Sequence, residues 1–184
     1  MKRVKNVAKY PIVINLMGSP GAGKSTTAAF LFYKLKMKGV KCELITEYAK
    51  DRVWEENKMA LDDQLYMFAK QEHRQFKLQN KVDVIITDAP LILSLYYGKH
   101  LSDSFRQLVM EEFNKYDNMI YYLNRKHKYE SIGRLQDENA SNNISKDLIT
   151  ILNDYNIPFK SLDTDIDFVE IMLHDIFKKI KEEK

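Results

Sequence analysis

The stretch Gly18-Ser19-Pro20-Gly21-Ala22-Gly23-Lys24-Ser25 constrains this chain more than any other. It satisfies the pattern G-x-x-x-x-G-K-[ST] at every fixed position. Glycines allow a backbone to curl until several N–H groups face one anion. A helix that follows adds its unpaired N-terminal N–H groups and the positive end of its dipole. In that setting Lys24 is a point charge for β- and γ-phosphates, and the Ser25 hydroxyl is placed to ligate Mg2+. The flanks agree, because Ile12 to Met17 reads as a buried strand and Thr26 to Met37 as a helix. A Gly/Ser turn with an incidental lysine is the alternative. It does not account for strand, loop and helix arriving in the required order.

The rest of the composition narrows the class. A length of 184 residues suits one domain over 1–184 with a sizeable core. A hydrophobic content of 45% and a charged content of 30% are ordinary for a globular protein. The net charge of +3 is too small to imply nucleic-acid binding by itself. The single cysteine, Cys42, cannot form an intramolecular disulfide, so a reducing cytoplasm is the expected setting. His73, His100, His127 and His174 are scattered, without metal-ligand spacing. No apolar run reaches the roughly 20 residues that cross a bilayer, so no membrane partner is expected. The basic start, Met1 to Lys5, lacks a signal-peptide core behind it and reads as a short arm.

Strand and helix signals alternate along the chain. Strands are expected over 41–46, 82–87, 119–123 and 157–162, after the first at 12–17. Leu61, Leu65, Phe68, Ala69 and Phe76 mark one long helix, preceded by the start of a short one at 47–52. Ser102 is expected to cap a helix with Phe105, Leu108, Val109 and Phe113 inward. Ile144, Leu148, Ile151, Leu152 and Tyr155 mark another, and Ile166, Val169, Leu173, Ile176 and Ile180 the last. The stretch 124–140 is basic at first and has no sustained apolar period. The fold class is therefore α/β: a three-layer domain with a five-stranded parallel sheet and helices on both faces.

In such sheets ligands bind in the crevice at the carboxyl ends of the strands. Those ends carry, in chain order, the phosphate loop, Glu47 and Asp88. Asp88 is a candidate for holding Mg2+ or for acting on an acceptor hydroxyl, against the plainer reading of a turn aspartate. Glu47 is a candidate for taking the proton of an attacking hydroxyl or anchoring a sugar hydroxyl, against a solvated first-turn glutamate. Asp51 and Arg52 follow one turn later and face the same cleft or form a surface ion pair. Arg125, Lys126, Lys128 and Arg134 make 124–140 a candidate basic lid, with the two arginines favoured because guanidinium grips phosphate bidentately. Tyr48, Trp54, Tyr66, Tyr96 and Tyr97 are open to base stacking or plain packing, and Pro90 to Tyr97 to walling an acceptor pocket or a buried helix.

With those residues in view, the chain resembles the small P-loop kinases of the ribosylnicotinamide-kinase type. It is more similar still to a group of phage-encoded ATP-binding proteins with an AAA-like domain. The strongest part is Gly18 to Thr26, which brings Thr26 into the nucleotide-binding set. Glu47-Tyr48-Ala49-Lys50-Asp51 is similar to the family's E-Y-x-R-D, with Lys50 where arginine is usual. Thr87 to Leu91 and the lid-like Tyr129 to Ala140 complete the likeness. The resemblance implies a P-loop NTPase fold, ATP and Mg2+ binding, and phosphoryl transfer to a hydroxyl of a nucleoside, nucleotide or modified pyrimidine. A variant takes a hydroxymethyl-pyrimidine base in DNA as the acceptor. The expected setting is then the cytoplasm, a phage host's included, and a homodimer is compatible.

Two other classes compete with the kinase. An ATPase or NTP switch acting through a protein partner needs a positioned water and usually an arginine from a neighbour. A catalytically dead scaffold would not need intact Lys24, Ser25 and Asp88. GTP specificity would call for N-K-x-D, which Asn124-Arg125-Lys126-His127 does not match.

Overall fold

The computed structural model describes residues 10–129, 137–165 and 167–182. The chain runs β1 (Ile12–Met17), α1 (Lys24–Met37), β2 (Cys42–Ile45), α2 (Tyr48–Trp54), α3 (Lys58–Asp62), α4 (Gln64–Phe76) and β3 (Val84–Thr87). It continues as α5 (Leu93–Tyr97), α6 (Asp103–Phe113), β4 (Asp117–Asn124), α7 (Glu138–Asp154), β5 (Lys160–Asp163) and α8 (Phe168–Glu182). The five strands form one sheet in the order β2-β3-β1-β4-β5. Every pairing is parallel. Strands that return parallel need crossovers, and helices supply them.

Alternation along the strands builds two cores. Val13, Met17, Ile85, Ile120 and Tyr122 face one side, with Phe68, Leu95, Phe105, Val109, Leu148 and Leu152 of the covering helices. Ile12, Ile14, Leu16, Val84, Ile86, Tyr121 and Leu123 face the other, against Leu31 and Leu35 of α1 and Met172, Leu173 and Ile176 of α8. All six residues of β1 are buried, as expected of a strand covered on both faces. Its one polar member, Asn15, donates from Nδ2 to Val13 O and to Asn118 Oδ1 of β4, which satisfies the buried amide.

Several expected elements are moved. The single helix over 61–76 is two, because Asp63 ends α3 and its carboxylate accepts the N–H of Tyr66 to start α4. Leu65 and Phe76 are consequently exposed, while Met67, Phe68, Gln71 and Gln75 are buried. Leu108 is exposed as well, and Ser102 makes no side-chain cap bond. Ile151 and Tyr155 sit at the margin of α7, whose buried stripe is Ser141, Ile144, Leu148 and Leu152. The fifth strand begins at Lys160, since Ile157 and Pro158 lead in without pairing. Ile166 lies outside the described residues.

Of the expected lid over 124–140, residues 130–136 lie outside the described residues. Asn124 closes β4, where its amide reaches Ser161 and Asp163 of the neighbouring strand region. Asp137 caps α7 by accepting the N–H of Ala140, so 138–140 are helical. Arg134 falls in 130–136, outside the described residues. No helix among the described residues is long and apolar enough to cross a membrane.

Candidate functional site

The strand order places β1 between β3 and β4, so the connection from β1 to β2 and the one from β3 to β4 run in opposite directions across the sheet. That divergence opens a crevice at the carboxyl end of β1. Met17 ends β1 and Gly18 starts the loop; Ile45 ends β2 two residues before Glu47; Thr87 ends β3 one residue before Asp88. Register brings these ends level, since Ile45 pairs with Thr87 and Asn15 with Thr87. A cleft of about 560 Å3 lies there. Its wall includes Gly18, Pro20 through Thr26, Glu47, Tyr48, Lys50, Met67, Gln71, Leu93 and Tyr97.

The phosphate loop is held by contacts that only glycine permits. Gly18 has φ +143°, and a Cβ there would lie 2.8 Å from the carbonyl oxygen of Leu123. Gly21 has φ +82°, and a Cβ there would lie 3.0 Å from the ring of Tyr129. The helix starts earlier than its apolar pattern suggests, so Lys24 and Ser25 occupy the first turn of α1. Lys24 Nζ donates to Gly18 O at 2.8 Å and Ser19 O at 3.1 Å, which folds the ammonium back over the loop.

Ser25 Oγ donates to Asp88 Oδ2 at 2.6 Å. Asp88 is 3% exposed, and its Oδ1 is buried without a hydrogen-bond partner among the described residues. A buried carboxylate oxygen left unpaired is costly. A hydroxyl and a carboxylate are hard oxygen donors of the kind that bind Mg2+ alongside water and phosphate oxygens. The two residues therefore fit such a cation.

Glu47 opens onto the same space. It is partly buried and forms part of the cleft wall. Burial pushes its pKa above the ordinary value, Asp88 adds to this, and Lys24 and Lys50 oppose it. Tyr97 stands in the same wall, where the Glu47 carboxylate acts on its hydroxyl. Burial first, then that carboxylate, push its pKa up.

The remaining sequence candidates divide. Tyr48 and Tyr97 line the cleft; Trp54, Tyr66 and Tyr96 do not. Pro90 and Leu93 do, so the apolar stretch after Asp88 both walls the cleft and buries Leu91, Ile92 and Leu95. Asp51 and Arg52 are absent from the wall. Asp51 pairs with Arg74 at 3.2 Å, while Arg52 pairs with Glu55 and lies 4.9 Å from the Tyr48 ring centroid. The helical turn that sets Lys50 toward the cleft turns these two away. Arg125 lies over the loop from outside the cleft: it pairs with Glu138 at 3.0 Å, donates to Asn142 and stacks on Tyr129 at 4.9 Å. Its Nη1 is buried and unpartnered among the described residues. Lys126 instead reaches Asp163 at 3.0 Å.

Three contacts escaped the sequence. His127 Nε2 meets Gly21 O at 2.9 Å, Ser141 Oγ donates to Pro20 O at 2.7 Å, and Tyr129 packs on Gly21. Together they brace the loop from the β4 and α7 side. Gln71 is the fourth omission, and it had a signal: it is a polar residue on the buried stripe of α4, one turn from Met67 and Phe68.

Comparison with known proteins agrees with this architecture. A family model described as an AAA domain matches residues 13–167. No curated protein sequence matches the chain. Among solved structures, the chain is similar to the thymidylate kinase from Ehrlichia chaffeensis, with a TM-score of 0.58 and 16% identity, covering 94% of this chain and 100% of that one. At that identity the likeness bears on the fold: an α/β P-loop fold with an all-parallel sheet in the order 2-3-1-4-5.

Proposed function

The chain belongs to the AAA domain family of P-loop NTP-binding proteins, and from that premise we propose that it is an ATP- and Mg2+-dependent kinase acting on a hydroxyl of a nucleoside-like acceptor. One observation carries this reading. The cleft does not end at the phosphate loop but continues past Glu47 to Met67, Gln71, Leu93 and Tyr97. An acceptor larger than water needs a chamber beside the phosphate loop, and this wall offers one with both apolar and polar surface. The fold likeness to a thymidylate kinase supports the same class.

The loop amides from Gly18 to Thr26 receive the phosphates, and the first turn of α1 adds its dipole. Lys24 exchanges the carbonyls of Gly18 and Ser19 for phosphate oxygens. Ser25 and Asp88 would hold Mg2+, which when bound neutralises phosphate charge. Asp88 is thereby committed to the Ser25 side, which leaves Glu47 to orient the acceptor hydroxyl and take its proton. A carboxylate with a raised pKa is the better base of the two roles considered for it. Arg125, and Arg134 from outside the described residues, are assigned to the phosphate side.

The test is transfer of label from γ-labelled ATP to a panel of nucleosides, deoxynucleotides, nicotinamide riboside and hydroxymethyl-pyrimidine duplex DNA. One acceptor class should take the label, and Lys24→Ala should lower its rate by roughly 10²-fold or more. Release of free phosphate with no labelled acceptor would count for an ATPase instead.

A further inference from the structure

Gln71 stands on α4 in the cleft wall and is 8% exposed. The orientation of its amide is dictated by a neighbour. The backbone N–H of Tyr48 donates to Gln71 Oε1 at 3.0 Å, so the oxygen has to face that donor. The NH2 group is left on the other branch, buried and without an acceptor among the described residues. Buried donors are seldom left unpaired, because the lost hydration is not returned. One turn further along the same helix, Gln75 also has an unpartnered Nε2, but it is not part of the cleft wall. The pair separates a cleft donor from a core donor of identical chemistry. The cleft wall that holds Gln71 also carries apolar surface from Met67, Leu93 and Tyr97. Apolar surface with a buried, oriented donor in the same wall suits a heterocycle that presents a carbonyl oxygen.

We propose that Gln71 selects the acceptor by donating from its NH2 group to a carbonyl oxygen on the ring of a nucleoside-like substrate. This deepens the kinase reading and rests on it for the acceptor's place in the cleft. The same amide that reads the ring holds Tyr48, the residue after Glu47. Ring recognition and the placement of Glu47 are therefore tied through one side chain.

The probes are uridine, thymidine and nicotinamide riboside, which carry carbonyl groups, and purine riboside, which carries none. Calorimetric binding in the presence of ADP and Mg2+, and transfer from labelled ATP, are measured for wild type, Gln71→Glu, Gln71→Leu and Gln75→Leu. Glutamate keeps an oxygen toward Tyr48 and removes the donor; leucine removes the donor without adding charge. Wild type should bind a carbonyl-bearing probe best. Both Gln71 variants should weaken that binding at least about tenfold, with the ATP KM within about twofold. Gln75→Leu should leave the ranking of probes unchanged. Equal acceptor binding in wild type and both Gln71 variants overturns the proposal, as does a preference for purine riboside or no binding of any probe. Gln71-dependent binding without transfer would sink the kinase reading and keep the selector. Transfer indifferent to Gln71 would do the reverse.

Discussion

Glu47 concentrates the chemistry of the cleft in a single side chain. Its pKa is raised in the folded protein, chiefly by burial. The unfolded chain holds the proton at the ordinary value of ~4.3. Protonated Glu47 therefore favours the fold, a contribution complete below that value and lost as pH rises through the folded one. At neutral pH the buried charge works against the fold, so Glu47→Gln should raise Tm at pH 7. The gain should shrink towards pH 4, as read by thermal melts across that range. Activity should move the other way. The acid limb of kcat/KM should lie above the ordinary carboxylate range in wild type, and Glu47→Gln should abolish transfer to the acceptor. Unchanged transfer would hand the base role to Asp88. A gain in stability with a loss of activity is the pattern expected where a site holds a charge the fold would rather lose.

The phosphate loop shows how elements set one another. Its curvature comes from its own glycines, but its position is fixed by β4 and α7. Gly18→Ala would press a Cβ against the Leu123 carbonyl, 2.8 Å away, at φ +143°. Backbone cannot step aside as a side chain can, so a loss of about 1–3 kcal/mol in urea unfolding is expected. Asp137 acts at longer reach. It caps α7, and the first turn of α7 carries Ser141, which donates to Pro20 O at 2.7 Å. Asp137→Ala should lower stability by about 1 kcal/mol. It should also weaken ATP binding, measured by calorimetry, because the frayed turn no longer braces the loop. Intact ATP affinity after loss of the cap would show that Ser141 is held by the rest of α7.

The whole molecule should respond to nucleotide as one cooperative unit if the cleft binds ATP between elements far apart in the chain. At a ligand concentration about 100 times Kd, binding adds ~2.7 kcal/mol. For a chain of this length that is a rise of roughly 5–10 °C in Tm. ATP with Mg2+ should produce it in wild type and not in Lys24→Ala. Much of this design was legible in the sequence. The loop motif is local, its strand and helix flank it directly, and apolar alternation marks the sheet, so the fold class and the meeting of Gly18, Glu47 and Asp88 at one sheet edge followed from pattern and the crevice rule. Other features depend on side chains brought together from distant points. The break at Asp63 was hidden because an apolar stripe carries across a cap. Asp51 and Arg52 were drawn away by Arg74 and Glu55, partners that periodicity does not reveal. Arg125 and His127 read as part of a basic stretch, and Ser141 drew no reading, until β4 and α7 set them against Gly21 and Pro20. Chain-local chemistry determined that a phosphate loop would form and which strand ends would surround it. Only the packing of helices on the sheet decided what lies beyond the phosphates, because burial, and with it the raised Glu47 pKa and the unpaired amide of Gln71, is a property of neighbours that the sequence does not order.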